Sequence, residues 1–123
     1  MTELVTLEVE ELDDVVVARV AGELDLAGAP RTGDAIEQRM PAAARALLVD
    51  FSALDFIDSS GVAMLFRLDR LLTSRRQKLR VVAVPGKPVA RVLDIVNFQR
   101  AAPVDATVDD ALRALRRASD RPS

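Results

Sequence analysis

The hydrophobic positions change period along the chain, and each period implies an element. Val5, Leu7 and Val9 alternate with Thr6, Glu8 and Glu10, the two-residue repeat of a half-buried strand. Leu12-Asp13-Asp14 sits where a turn is needed, and Val15 to Val20 is a second β-branched run that stops at Gly22. Together they predict an antiparallel hairpin. Residues 29–40 carry a weaker helical repeat, with Pro30 in the first turn, where a missing N–H is tolerated, and Gly33 weakening the interior. Ala46 to Phe51 is short, apolar and almost continuous, as expected of a central strand covered on both faces.

The strongest helical repeat spans residues 59–76. Leu79 to Val84 reads as another buried strand, stopped by Pro85-Gly86. Val89, Val92, Leu93 and Val96 mark a third helix, with Asn97 as its C-terminal cap. Residues 100–104 suggest a short edge strand. Thr107 opens a last helix carrying Val108, Ala111, Leu112 and Leu115, and Thr107 and Asp110 are spaced like a capping box with Asp in place of Glu. This order predicts an α/β fold: a mixed, mostly parallel central sheet of about four or five strands with about four helices packed on it. A single domain over residues 1–118 is expected, followed by a disordered tail from Ser119 to Ser123.

Leu54 to Leu65, read L-D-F-I-D-S-S-G-V-A-M-L, places acids and adjacent hydroxyls where strand becomes helix. On the helix that follows, Met64, Leu65, Leu68, Leu71 and Leu72 share one apolar face, which should pack on the sheet. Arg67, Asp69, Arg70, Thr73, Ser74 and Arg76 lie on the other half. So do Val62, Ala63 and Phe66, with Ser59 among them and Ser60 beside the core face. Either a neighbouring helix covers Phe66, or the three form a partner-binding patch. Likewise Ser59 is either a plain N-cap or an exposed serine to be chemically changed. A phosphate there would meet a helix N-terminus, which tolerates anions, and would add about −1.5 to −2 charges.

Charge and composition narrow the classes. Residues 1–60 hold 13 acids and 4 bases, a net of −9, and residues 61–123 hold 6 acids and 13 bases, a net of +7. Such asymmetry means either a charged partner or two solvated faces. With no Cys there is no disulfide, thiolate nucleophile or zinc–thiolate site, and with no His the commonest general base and metal ligand are gone. No metal or cofactor is expected. A serine-nucleophile enzyme would need an acid or one of two lysines, Lys78 and Lys87, as its base, neither near Ser59 in sequence, so no catalytic residue is assigned. Four Phe and no Trp or Tyr make a poor stacking platform. The basic run Arg67, Arg70, Arg75, Arg76 and Lys78 reads as a solvated helix end rather than a direct nucleic-acid contact. No apolar run is long enough for a membrane span, and the N-terminal residues lack a signal-peptide pattern, so a cytoplasmic, membrane-free location is expected.

The segment L-V-D-F-S-A-L-D-F-I-D-S-S-G-V-A-M-L resembles the signature of the STAS domain, the family of sulphate transporters and anti-sigma factor antagonists. G-E-L-D-L-A, Gly22 to Ala27, resembles that family's turn between second strand and first helix. The spacing of the two motifs and the element order fit over nearly the whole chain. Where the family often has Gly-Leu-Gly after the serines, this chain has Gly61-Val62-Ala63.

The resemblance implies a bacterial anti-sigma factor antagonist that binds an anti-sigma factor serine kinase, releasing a sigma factor. It is then switched off by phosphorylation of the serine after the motif aspartate, here Ser59, and restored by a serine phosphatase. Asp25, Asp58, Ser60 and Gly61 would support the phosphosite, with Asp25 and Asp58 flanking Ser59 at one end of the sheet. Val62, Ala63 and Phe66 would contact the partner. The oligomeric state stays open. The competing role within the family is a scaffold or accessory subunit of a multiprotein or membrane transport complex, not phosphorylated.

Overall fold

A computed structural model describes residues 4–120. Strands β1 (Val5–Leu12) and β2 (Val15–Leu24) form the hairpin, with Asp13 in the left-handed region at its turn (φ 57°). Helix α1 (Ala29–Gln38) leads to β3 (Ala46–Asp50), β4 (Leu54–Ile57) and α2 (Ser59–Ser74). Then come β5 (Lys78–Val82), α3 (Pro88–Ile95), a 3-10 turn (Phe98–Arg100), β6 (Val104–Asp105) and α4 (Val108–Asp120).

Among the described residues the sheet has six strands in the order β1-β2-β3-β5-β6, with β4 also paired to β2. Only β1 and β2 are antiparallel; every other pairing is parallel. This is the expected mixed, mostly parallel fold, with one strand more than the hydrophobic pattern indicated.

Alternation decides which face each strand gives to which helix. Val16, Ala18 and Val20 of β2, Leu47 and Val49 of β3, and Leu79 and Val81 of β5 join the main core with residues of α1, α2 and α3. Val15, Val17, Ala46, Leu48 and Val82 point the other way, onto Ala111 and Leu115 of α4. Continuous apolar runs in β2 and β3 are therefore needed because both faces are covered.

Asn97 adopts the left-handed conformation (φ 57°, ψ 42°) just past α3, the geometry expected of its cap position. Thr107 Oγ1 accepts the Asp110 N–H at 3.1 Å, as its spacing predicted. The edge strand is Val104–Asp105 rather than 100–104, because the chain first makes the 3-10 turn that buries Phe98. A bidentate Arg80–Asp105 ion pair (2.8 and 3.0 Å) ties this two-residue strand to β5. Helix α4 continues to Asp120, two residues into the segment expected to be disordered; residues 121–123 lie outside the described residues.

Candidate functional site

The site begins with a pair of strand ends. Strand β2 runs parallel to β4 with Leu24 opposite Ile57. The next residues are Asp25 and Asp58, so both acids leave the sheet at the same end. The Asp58 N–H donates to the Leu24 carbonyl at 3.2 Å, which joins the two turns. Gly61 keeps them close. A Cβ there would stand 2.5 Å from Ile57 Cγ1 and 3.0 Å from the Leu24 carbonyl oxygen, so the first turn of α2 can settle on the strand ends only without a side chain.

Asp58 starts the helix. Its backbone is extended (φ −109°, ψ −170°), and its Oδ1 accepts the N–H groups of Ser60 (2.8 Å) and Gly61 (3.3 Å). An acid in this position stabilises a helix by about 1 kcal/mol and faces the positive end of the helix dipole. Asp58, not Ser59, is thus the N-cap. Ser59 is the first residue of α2, is exposed, and its hydroxyl has no hydrogen-bond partner among the described residues. Ser60 is half-buried, with its N–H used by the cap.

Asp25 works differently. Its Oδ1 accepts the N–H groups of Ala27 (3.1 Å) and Gly28 (3.2 Å), closing a turn that ends at Gly28, the N-cap of α1, three residues after Asp25. Asp25 and Asp58 therefore share one end of the sheet with Ser59, but each carboxylate oxygen that is bonded serves its own turn.

The expected apolar patch is corrected in part. Val62 is buried, at 8% exposure, and belongs to the main core. Phe66 is half-buried; its ring meets Phe98 edge-on, with centroids 5.0 Å apart and planes at 65°. Phe98 of the 3-10 turn that follows α3 covers Phe66, and Val62 is taken into the main core, so both pack rather than project. Ala63 alone of the three is exposed.

The apolar exposure lies elsewhere, at Ile95 (77%), Leu26 (74%), Leu4 (60%) and Phe56 (46%). Leu26 was within the quoted G-E-L-D-L-A turn. Its place in the turn between a strand end and a helix start, outside either element's apolar repeat, was the available signal. Leu26 and Ala63 both line a groove of about 260 Å³ between α1 and α2, where Gly33 lets the helices approach to Met64 contact.

A domain with a mostly parallel sheet and an exposed serine on a helix capped by the preceding aspartate can be compared with known proteins. A family profile described as the STAS domain matches residues 6–111, and the chain belongs to that family. The anti-sigma-F factor antagonist RsfB of Mycobacterium tuberculosis is 28% identical over 112 residues, covering 91% of this chain and 90% of RsfB. The crystal structure of an anti-sigma factor antagonist from Mycobacterium paratuberculosis superposes with a TM-score of 0.82 at 32% identity, over 91% of this chain and 94% of that one. The Bacillus cell-fate determinant SpoIIAA in its phosphorylated form shares the fold, with a TM-score of 0.64 at 23% identity over 89% and 99% of the two chains. Among the described residues no helix is long and apolar enough to cross a membrane.

Proposed function

We propose that this chain is an anti-sigma factor antagonist worked as a phosphoswitch at Ser59. Unmodified, it binds an anti-sigma factor that is also a serine kinase, and so frees a sigma factor. The Ser59 hydroxyl oxygen then takes the γ-phosphoryl group of ATP, leaving ADP; the complex separates, and a serine phosphatase restores the hydroxyl.

One observation carries the reading: Asp58 does the capping, so the Ser59 hydroxyl is exposed and unengaged. The antagonist relatives support the partner class, and the phosphorylated neighbour supports the chemistry. Asp25 and Asp58 orient and present the turn. A phosphate on Ser59 lies in the first turn of α2, where the helix dipole favours an anion by roughly 0.3–1 kcal/mol, so the modified protein keeps its fold. Its effect falls on the complex, where a dianion must be desolvated against the partner.

The test is mass spectrometry of the chain after incubation with ATP and, in turn, each purified serine-kinase anti-sigma factor of its source organism. The Ser59→Ala variant is expected to stay bound and unmodified. Ser59→Asp, with one charge in place of two, is expected to bind weakly, and Ser60→Ala to be modified normally. Phosphate on Ser60, or on neither serine, overturns the switch. Recovery of transport subunits with an unmodified Ser59 would favour the scaffold role instead.

A further inference from the structure

We infer that the groove between α1 and α2 is a second contact for the same kinase, receiving one apolar side chain from it. This rests on the phosphoswitch reading above. A kinase that transfers phosphate to the Ser59 oxygen must cover the first turn of α2. On the flank toward α3 the helix's own apolar side chains are already taken, Val62 buried and Phe66 packed on Phe98, and the exposed Phe56 and Ile95 belong to β4 and α3 rather than to the turn. On the opposite flank, Ser60 and Ala63 are at once the turn and the wall of the groove. A footprint centred on Ser59 therefore runs into the groove without a gap.

The groove suits a side chain. Its volume, about 260 Å³, falls below the roughly 300–1,000 Å³ of small-molecule pockets. Its walls include Met64, Leu68 and Ala29, and Leu26 stands at its edge with three-quarters of its surface in water. Around these lie charges that solvent already reaches. Arg67 and Asp34 are 4.0 Å apart, with side chains 67% and 57% exposed. An apolar centre inside a ring of solvated charges is the anatomy of a protein contact. The occupant is thus a large aliphatic or aromatic side chain projecting from the kinase surface, the kind of buried anchor on which affinity concentrates.

The experiment is calorimetric binding of the unphosphorylated chain to the kinase that modifies Ser59, for the wild type, Leu26→Asp and Ala63→Arg. The first places a charge at the groove edge and the second fills the groove. Both positions are exposed, and melting temperatures are expected to match the wild type, which separates a lost contact from a lost fold. The Kd is expected to rise at least about tenfold in each variant, and Ser59 phosphorylation at low enzyme concentration to slow in step. If the wild type is bound and phosphorylated while both variants bind equally well, the groove contact is wrong and the phosphoswitch stands. If no serine-kinase anti-sigma factor binds or modifies the wild type, the phosphoswitch falls and the groove contact with it.

Discussion

Two turns leave the same end of the sheet, each led by an aspartate, and they differ by where the helix begins. After β4, Asp58 is itself the N-cap, and the next residue is already helical. After β2, Asp25 closes a turn, and α1 starts only at Ala29. The immediate start places a serine in the first helical turn with its hydroxyl unused. The delayed start pushes Leu26 outward with its side chain unused. One short carboxylate, moved by three residues relative to the helix, thus exposes a nucleophilic oxygen at one turn and an apolar surface at the other. The chemistry of the site comes from this offset.

The glycines that hold the turns together offer the strongest way to break the comparison. Gly22 has φ +93°, and a Cβ there would collide with the Leu4 carbonyl oxygen at the start of β1. Gly22→Ala is expected to cost about 2–5 kcal/mol, adding backbone strain to overpacking. Gly61→Ala meets Ile57 and the Leu24 carbonyl instead, and about 1–3 kcal/mol is expected. Urea denaturation measures both, and a near-neutral Gly61→Ala would mean that the two turns are not held together as described.

The acids give a smaller and more telling contrast. Asp58→Ala should cost about 1 kcal/mol, the ordinary loss of an N-cap. Asp25→Asn should leave the melting temperature nearly unchanged, since its two hydrogen bonds are long and an amide oxygen can accept them. The same Asp25→Asn change is nevertheless expected to slow Ser59 phosphorylation or weaken partner binding. Equal activity would remove Asp25 from the site.

A charge at the opposite end of the sheet serves as the control. The hydrogen bond from Arg45 (2.9 Å) holds the Asp14 carboxyl below the usual carboxylate range. Its folded pKa is lowered, so the stabilisation is present above the unfolded value of about 4 and is lost as pH falls through the folded one. Asp14→Asn should therefore lower the melting temperature slightly near neutral pH and flatten its decline in acid, while Ser59 phosphorylation is unaffected. An acid limb as steep as the wild type's would show that the pair contributes nothing.

Phe66 shows why part of the site could not be read from sequence. Its place on the helix surface was legible from the 3.6-residue repeat, but a repeat registers one packing direction at a time. Helix α2 has three: the sheet beneath it, α1 where Gly33 meets Met64, and the Phe98 turn beside it. The segment Asp94 to Phe98 held that covering residue, and nothing local in it announced a long-range ring contact. Strand β4 escaped for a different reason. Its burial runs inside, outside, outside, inside, because its pairing with β2 shifts register between Gly22 and Glu23, so Leu54 to Ile57 lacks the alternation that identifies strands. By contrast the β1–β2 hairpin, the buried β3 and the start of α2 each follow from a local rule, and the hydrophobic pattern located them to within a few residues.

Because Asp58 anchors the helix, position 59 is structurally free, and the chain contains no cysteine. A Ser59→Cys substitution would create the molecule's sole thiol on an exposed, ordered first turn. A fluorophore attached there would report every partner that approaches this surface, without a second label to subtract.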